Sequence, residues 1–251
     1  MITMKFATTL FAGLIAMSSS CCTVPHPLAP LPLTQNSLEK ILQGAYCVRV
    51  ESQGVDGVVH YSYGTALAIS YRENQTILTT SAHVVQEPGR IILSYSLVDN
   101  RHDEEKKDDI SFRVLSLDEG ADTAILLASH KIPIATSYEI KPSLEVHAGD
   151  RAYIIGFPFG LGKWPSQAMV SEVYNDKIIL DGTVNFGNSG GLAFYQNNDG
   201  KYFLLGQIRG CMVGDSPIAG CRGYALVVPI KILLQSWGDY IHDERTASDR
   251  T

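Results

Sequence analysis

From Ala45 onward the chain is a succession of short apolar or alternating runs: AYCVRVES, VVHYSYGTALAIS, TILTTSAHVV, IILSYSLV, ISFRVLSL, TAILLAS, RAYIIGF, AMVSEVY, KIILDGTV, LAFY, KYFLLGQI and YALVVPI. Turn signals such as YRENQ, ND and QNNDG cut them apart. Runs this short do not complete the turns a buried helix needs, whereas a strand needs only about four to eight residues. The pattern dictates an all-β protein of sandwich or barrel type. Only SLEKILQGAY near the start and PIKILLQSWGDYI near the end carry a helical period, and Pro229 stands where a first helical turn tolerates proline. The run DNRHDEEKKDD at 99–109 reads as a solvated hairpin loop.

The amount of core is bounded by length and composition. With 251 residues, 45% of them hydrophobic, the chain can fill one sizeable domain or two small ones. The formal net charge is -6 and the basic residues form no stripe, so nucleic acid is not expected as a partner. There is no CxxC or HExxH spacing, so a metal site is not expected.

The first 20 residues read as a signal peptide. MITMK carries a lysine, FATTLFAGLIAM is an apolar run too short for a spanning helix, and SSS offers small residues for cleavage. Cys21 would then be the first mature residue, the position that is lipidated in bacterial lipoproteins, and is the candidate for membrane anchoring. Such signals usually place leucine three residues earlier, where this chain has Ser18. Residues 21–36 are proline-rich and read as an extended tether. A domain is expected over 37–242, with a disordered tail at 243–251.

Export sets the redox context. In CMVGDSPIAGC, Cys211 and Cys221 close a short loop, and in an oxidising compartment they are the natural disulfide, worth roughly 3 kcal/mol if unstrained. Cys47, within AYCVRV, is expected to be a buried small hydrophobe rather than a nucleophile.

Three segments combine into one chemistry. His83 ends the strand-like TILTTSAHVV, Asp122 directly precedes the strand TAILLAS, and Ser189 sits among glycines in FGNSGG. Each alone has an ordinary structural explanation. Together they supply a general base, a carboxylate to orient it, and a nucleophile, each at the edge of a β element. A serine hydroxyl attacks poorly at neutral pH until an imidazole accepts its proton, and a buried carboxylate fixes the imidazole's tautomer. Glycines let successive N–H groups of the turn converge on one spot, so the amides of Gly187 and Ser189 are the candidate oxyanion hole.

The segments GTALAIS, ILTTSAHVV, ADTAILLAS, GFPFGLG, GNSGG and LLGQI, in that order, resemble the trypsin-like, chymotrypsin-fold serine proteases. They are most similar to the bacterial HtrA/Deg-like branch. The resemblance covers about residues 40–235. It implies two six-stranded antiparallel β-barrels followed by a C-terminal helix, barrel 1 over about 37–140 and barrel 2 over about 145–230. His83 and Asp122 would come from the first barrel and Ser189 from the second. The implied function is that of an exported serine endopeptidase, periplasmic or secreted, acting on protein or peptide through an acyl-enzyme without cofactor.

By the same resemblance Thr183, six before the serine, lies at the base of the primary specificity pocket. Being neutral, it points to small or medium apolar residues before the scissile bond. Gln207, Ile208 and Arg209 lie on the strand expected to pair with substrate, where Arg209 is either an ordinary exposed strand arginine or a residue that would instead favour an acidic side chain before the scissile bond. Two departures stand out. Asn188 replaces the aspartate that digestive proteases pair with a freed N-terminus, and no PDZ-sized segment follows the helix ending near Ile241, so docking through a second domain is not expected. Two other classes stay open. GNSGG also fits the nucleophile elbow of α/β-hydrolases, with Asp215 and His242 following in order, although that elbow requires a helix after the serine. The other class is a catalytically silent relative serving as a binding or scaffolding protein of the cell envelope.

Overall fold

Six strands, Ala45–Gln53 (β1), Val59–Arg72 (β2), Gln75–Thr80 (β3), Ile91–Val98 (β4), Ile110–Asp118 (β5) and Thr123–Ala128 (β6), close into a barrel in the order β1-β2-β3-β6-β5-β4. The computed structural model describes residues 35–98, 109–213 and 221–240. A second set comprises Arg151–Gly156 (β8), Trp164–Val173 (β9), Ile178–Gly182 (β10), Leu192–Gln196 (β11), Tyr202–Val213 (β12) and Cys221–Pro229 (β13). These run in the order β11-β8-β9-β10-β13-β12, and β12 returns to pair with β11. All pairings inside both barrels are antiparallel. The expected fold class, two six-stranded barrels and a C-terminal helix, is borne out. A two-residue strand that the sequence pattern did not reveal, Tyr138–Glu139 (β7), lies parallel to β12 at Tyr202 and Phe203.

Three apolar clusters explain the strand patterns. Val48, Val50, Leu78, Leu97 and Leu126 fill the first barrel, and Ile154, Val170, Leu180, Leu205 and Val227 fill the second. A third cluster joins residues of both barrels, among them Leu67, Ile69, Ile125, Tyr153, Phe194 and Tyr202. Strand β6 is therefore buried at all six positions, Leu126 facing the barrel interior while Ile125 and Leu127 join the shared layer. This is why TAILLA is apolar without alternation.

The helices close the shared layer. Gln35–Leu42 (α1) begins two residues earlier than the helical period suggested and contributes Ile41; Ile230–Trp237 (α2) contributes Leu233 and the fully buried Trp237. Pro229 is not inside the first turn of α2. Its φ of -63° and ψ of 148° are extended, so it caps the helix as the last residue of β13. Cys47 is fully buried, and desolvation pushes its thiol up to about 12, which leaves it protonated and unreactive as expected of a core residue. The signal peptide, Cys21, most of the tether, the acidic loop at 99–108, Asp215, His242 and the tail lie outside the described residues.

Helix α2 is also fastened by a carboxylate. Asp118, at the end of β5, accepts hydrogen bonds from Ser236 Oγ and, at 3.0 Å, from the Ala121 N–H. These donors, Ser236 first, hold its carboxyl below the usual range. The folded pKa lies below the unfolded one, so the resulting stabilisation is complete above the unfolded value, near pH 4, and drains away as pH falls through the folded value. Ser236→Ala is expected to lower the urea midpoint clearly at about pH 7 and much less at about pH 3.

Candidate active site

Barrel 1 supplies the base and its carboxylate from neighbouring strand ends. Strand β3 runs out at Thr80 into a 3-10 turn, Ala82–Val84, that carries His83. Strand β6, whose Ala124 lies opposite Thr80, begins directly after Asp122. Asp122 has a φ of 51°, a left-handed conformation that aspartate tolerates better than most side chains, and it turns the carboxylate back toward the histidine. His83 Nδ1 lies 2.9 and 3.0 Å from the two carboxylate oxygens, and the His83 backbone N–H donates to Oδ1 at 3.1 Å. The carboxylate is only 8% exposed while the imidazole is 49% exposed. An ionised carboxylate only accepts, so Nδ1 carries the proton and Nε2 is left as the free base.

Barrel 2 supplies the serine from the turn before β11. The Asn188 N–H donates to Asn185 O at 3.1 Å, and Gly187, third in this four-residue turn, has a φ of 93°. That position of such a turn calls for glycine. Gly190 has a φ of 83°, and its backbone is pressed so hard against barrel 1 that a Cβ would stand 2.2 Å from both Thr65 O and Thr80 Oγ1. The turn is bonded across the barrels: the Thr65 N–H donates to Ser189 O at 2.8 Å and Thr65 Oγ1 to Gly187 O at 2.7 Å. Among the described residues, no acceptor takes the N–H of Gly187 or of Ser189.

His83 and Ser189 line one cavity with Val184, Asn185, Phe186, Asn188 and residues 208–211. Among the described residues no hydrogen bond joins Ser189 to His83. The Ser189 hydroxyl instead donates to Arg209 O at 3.3 Å.

The expected substrate residues separate. Arg209 is exposed at the cavity, its Nε 3.6 Å from Asp122 Oδ2. Ile208 lines the cavity but is otherwise spent on structure: its N–H donates to Gly191 O at 2.7 Å, while its carbonyl accepts from Gly190 N at 2.8 Å and Ser81 Oγ at 3.2 Å. Thr183 is exposed and does not line the cavity, because β10 ends at Gly182 and the chain turns inward only at Val184. Gln207 is fully buried and out of a substrate's reach. Its Oε1 accepts from Thr79 Oγ1 at 2.9 Å, and its amide donates to Ser81 Oγ at 3.2 Å and Asp122 O at 3.3 Å. The Trp237 indole N–H feeds the same chain by donating to Thr79 Oγ1 at 3.1 Å. The position of Gln207 on a strand was readable, but its orientation follows the pairing of β12 with two neighbours, which no local pattern encodes.

Residues 64–203 match the family model described as a trypsin-like peptidase domain. The chain belongs to the trypsin-like peptidase family. It is also 27% identical over 225 residues to the periplasmic pH-dependent serine endoprotease DegQ of Escherichia coli (strain K12), covering 77% of this chain and 47% of that protein. The chain thus spans about half the length of the curated relative it matches. The expected resemblance to trypsin-like serine proteases of the HtrA type is borne out by these matches. The α/β-hydrolase reading is overturned: the strand β11, not a helix, follows Ser189 in this peptidase domain. Cys211 and Cys221 lie on the paired strands β12 and β13, opposite Ala225 and Val213 respectively.

The tight fit at Gly190 yields a test. Gly190→Ala is expected to cost at least about 2 kcal/mol, from strain plus overpacking. Gly57→Ala, where φ is 77° and nothing stands within 4 Å, should cost only the backbone strain of about 1 kcal/mol. Urea denaturation of the two variants compares these costs.

Proposed function

We propose that this chain is an exported serine endopeptidase that cleaves peptide bonds through an acyl-enzyme. The observation that carries this reading is the bonding of His83 Nδ1 to a buried Asp122 while the imidazole and Ser189 line one cavity. In the proposed reaction the Ser189 hydroxyl turns from Arg209 O toward His83, a rotation that an exposed side chain makes within nanoseconds. Its oxygen attacks the substrate carbonyl carbon as its proton passes to Nε2, and Asp122 stabilises the imidazolium. The oxyanion that forms is held by the N–H groups of Gly187 and Ser189. Donors of this kind are worth on the order of 3 kcal/mol each in other enzymes. The intermediate collapses, the C–N bond breaks, and the imidazolium gives its proton to the departing amine. Water, deprotonated by the same imidazole, then attacks the ester, and the acid leaves as Ser189 regains its proton.

The likeness to a periplasmic endoprotease and the N-terminal apolar run support export, with Cys21 as the proposed lipidation site and membrane anchor. Cys211 and Cys221 are proposed to pair in that oxidising setting. Val184, Phe186 and Ile208 around the cavity support a preference for small or medium apolar residues before the scissile bond. The bond from Ser189 Oγ to Arg209 O favours one alternative, a silent protease-fold protein of the envelope. Fluorophosphonate labelling of the folded protein separates the two. Our reading predicts stoichiometric labelling confined to Ser189, abolished in Ser189→Ala and reduced by at least about a hundredfold in rate in His83→Ala. No labelling of folded protein would favour the silent alternative.

A further inference from the structure

We propose that Arg209 selects an acidic side chain on the substrate residue immediately before the one whose carbonyl is attacked; this rests on the endopeptidase reading. Arg209 occupies an unusual place in β12. Ile208 lies opposite Val227 and Gly210 opposite Leu226, so Arg209 is the extra residue of a β-bulge with no partner on β13. A bulge re-aims the side chain it carries. Here the side chain is 56% exposed, and the residue lines the cavity that holds His83 and Ser189.

The guanidinium is placed but not used up. Its Nε stands 3.6 Å from Asp122 Oδ2, beyond hydrogen-bond range, and that carboxylate is already taken by the His83 N–H and Nδ1. The contact orients the cation toward the His83 side of the cavity, and among the described residues no acceptor takes its terminal N–H groups, which suit a planar, two-oxygen acceptor. Among the described residues lining the cavity, only His83 and Arg209 are basic and none is acidic.

An extended substrate laid along β12 sends successive side chains to opposite sides. If the residue that is attacked fills the space between Val184–Phe186 and Ile208–Cys211, the preceding side chain turns the other way, over His83 and Arg209. A carboxylate there meets the guanidinium's free edge. A lysine there meets a like charge.

The test uses enzyme titrated with fluorophosphonate, so that rates refer to reactive Ser189, and a peptide series differing only at this position: Asp, Glu, Ala and Lys. The expected order of kcat/KM is acidic above Ala above Lys, with about tenfold between Glu and Ala at low salt, shrinking as salt screens the pair. Arg209→Ser should bring Glu and Ala within about twofold, and Arg209→Glu should turn the preference toward Lys. A flat series in titratable enzyme, or a Glu preference that survives Arg209→Ser, would overturn the selectivity and leave the peptidase reading intact. Folded protein that neither labels nor cleaves would sink that reading and the selectivity with it.

Discussion

Gln207 is the side chain on which the arrangement of this molecule depends. It belongs to barrel 2 yet spends its amide on barrel 1, in a chain that runs from the Trp237 indole through Thr79 to Gln207 and on to Ser81 and the Asp122 carbonyl. Direction along the chain is forced: the indole only donates and the Asp122 carbonyl only accepts, so the donor and acceptor of each bond between them are fixed. Each group is buried, and leaving one unpaired costs about 1–3 kcal/mol, so the barrels settle where all are satisfied. That position puts the segment bearing His83 and Asp122 opposite the serine turn, which Thr65 ties down from the other side.

The strands were legible because short apolar or alternating runs between turn signals are too brief for a buried helix, as in AYCVRVES and IILSYSLV. The runs without alternation, TAILLA above all, were still readable as strands from their brevity, although what covers their second face is a neighbouring barrel that only the tertiary fold supplies. Likewise, His83, Asp122 and Ser189 were each visible at a strand edge. Their grouping came from chain order and motif, since residues dozens of positions apart leave no local sign of contact. What stayed hidden depends on register. Thr183 is placed by a count back from the serine and Gln207 by its strand, and neither shows that the inward turn begins one residue later, at Val184, or that β12 directs Gln207 into the seam.

Arg209 shows the same limit from the other side. Its charge was readable, but the bulge that lifts it out of register with β13 was not. The bulge gives an acidic protein an exposed cation at the cavity that holds its candidate nucleophile, and the same residue's carbonyl holds the Ser189 hydroxyl. The backbone of Arg209 thus touches the serine while its side chain reaches toward Asp122, so this one residue links the resting position of the hydroxyl to the charge of the cleft.

The central claim is that a base from one barrel and a nucleophile from the other, which line one cavity, come within bonding reach when the serine hydroxyl turns. An alanine-based peptide chloromethyl ketone tests it directly: the Ser189 oxygen adds to the ketone while His83 Nε2 displaces chloride, so one inhibitor joins both residues. With the ketone carbon labelled with carbon-13, NMR of the intact folded adduct should show that carbon as a tetrahedral hemiketal, absent in Ser189→Ala, while mass spectrometry of the digest, in which the hemiketal reverts, should find the alkyl group on His83. A ketone carbon that stays trigonal in the alkylated folded protein, or no alkylation of folded protein, would contradict the claim.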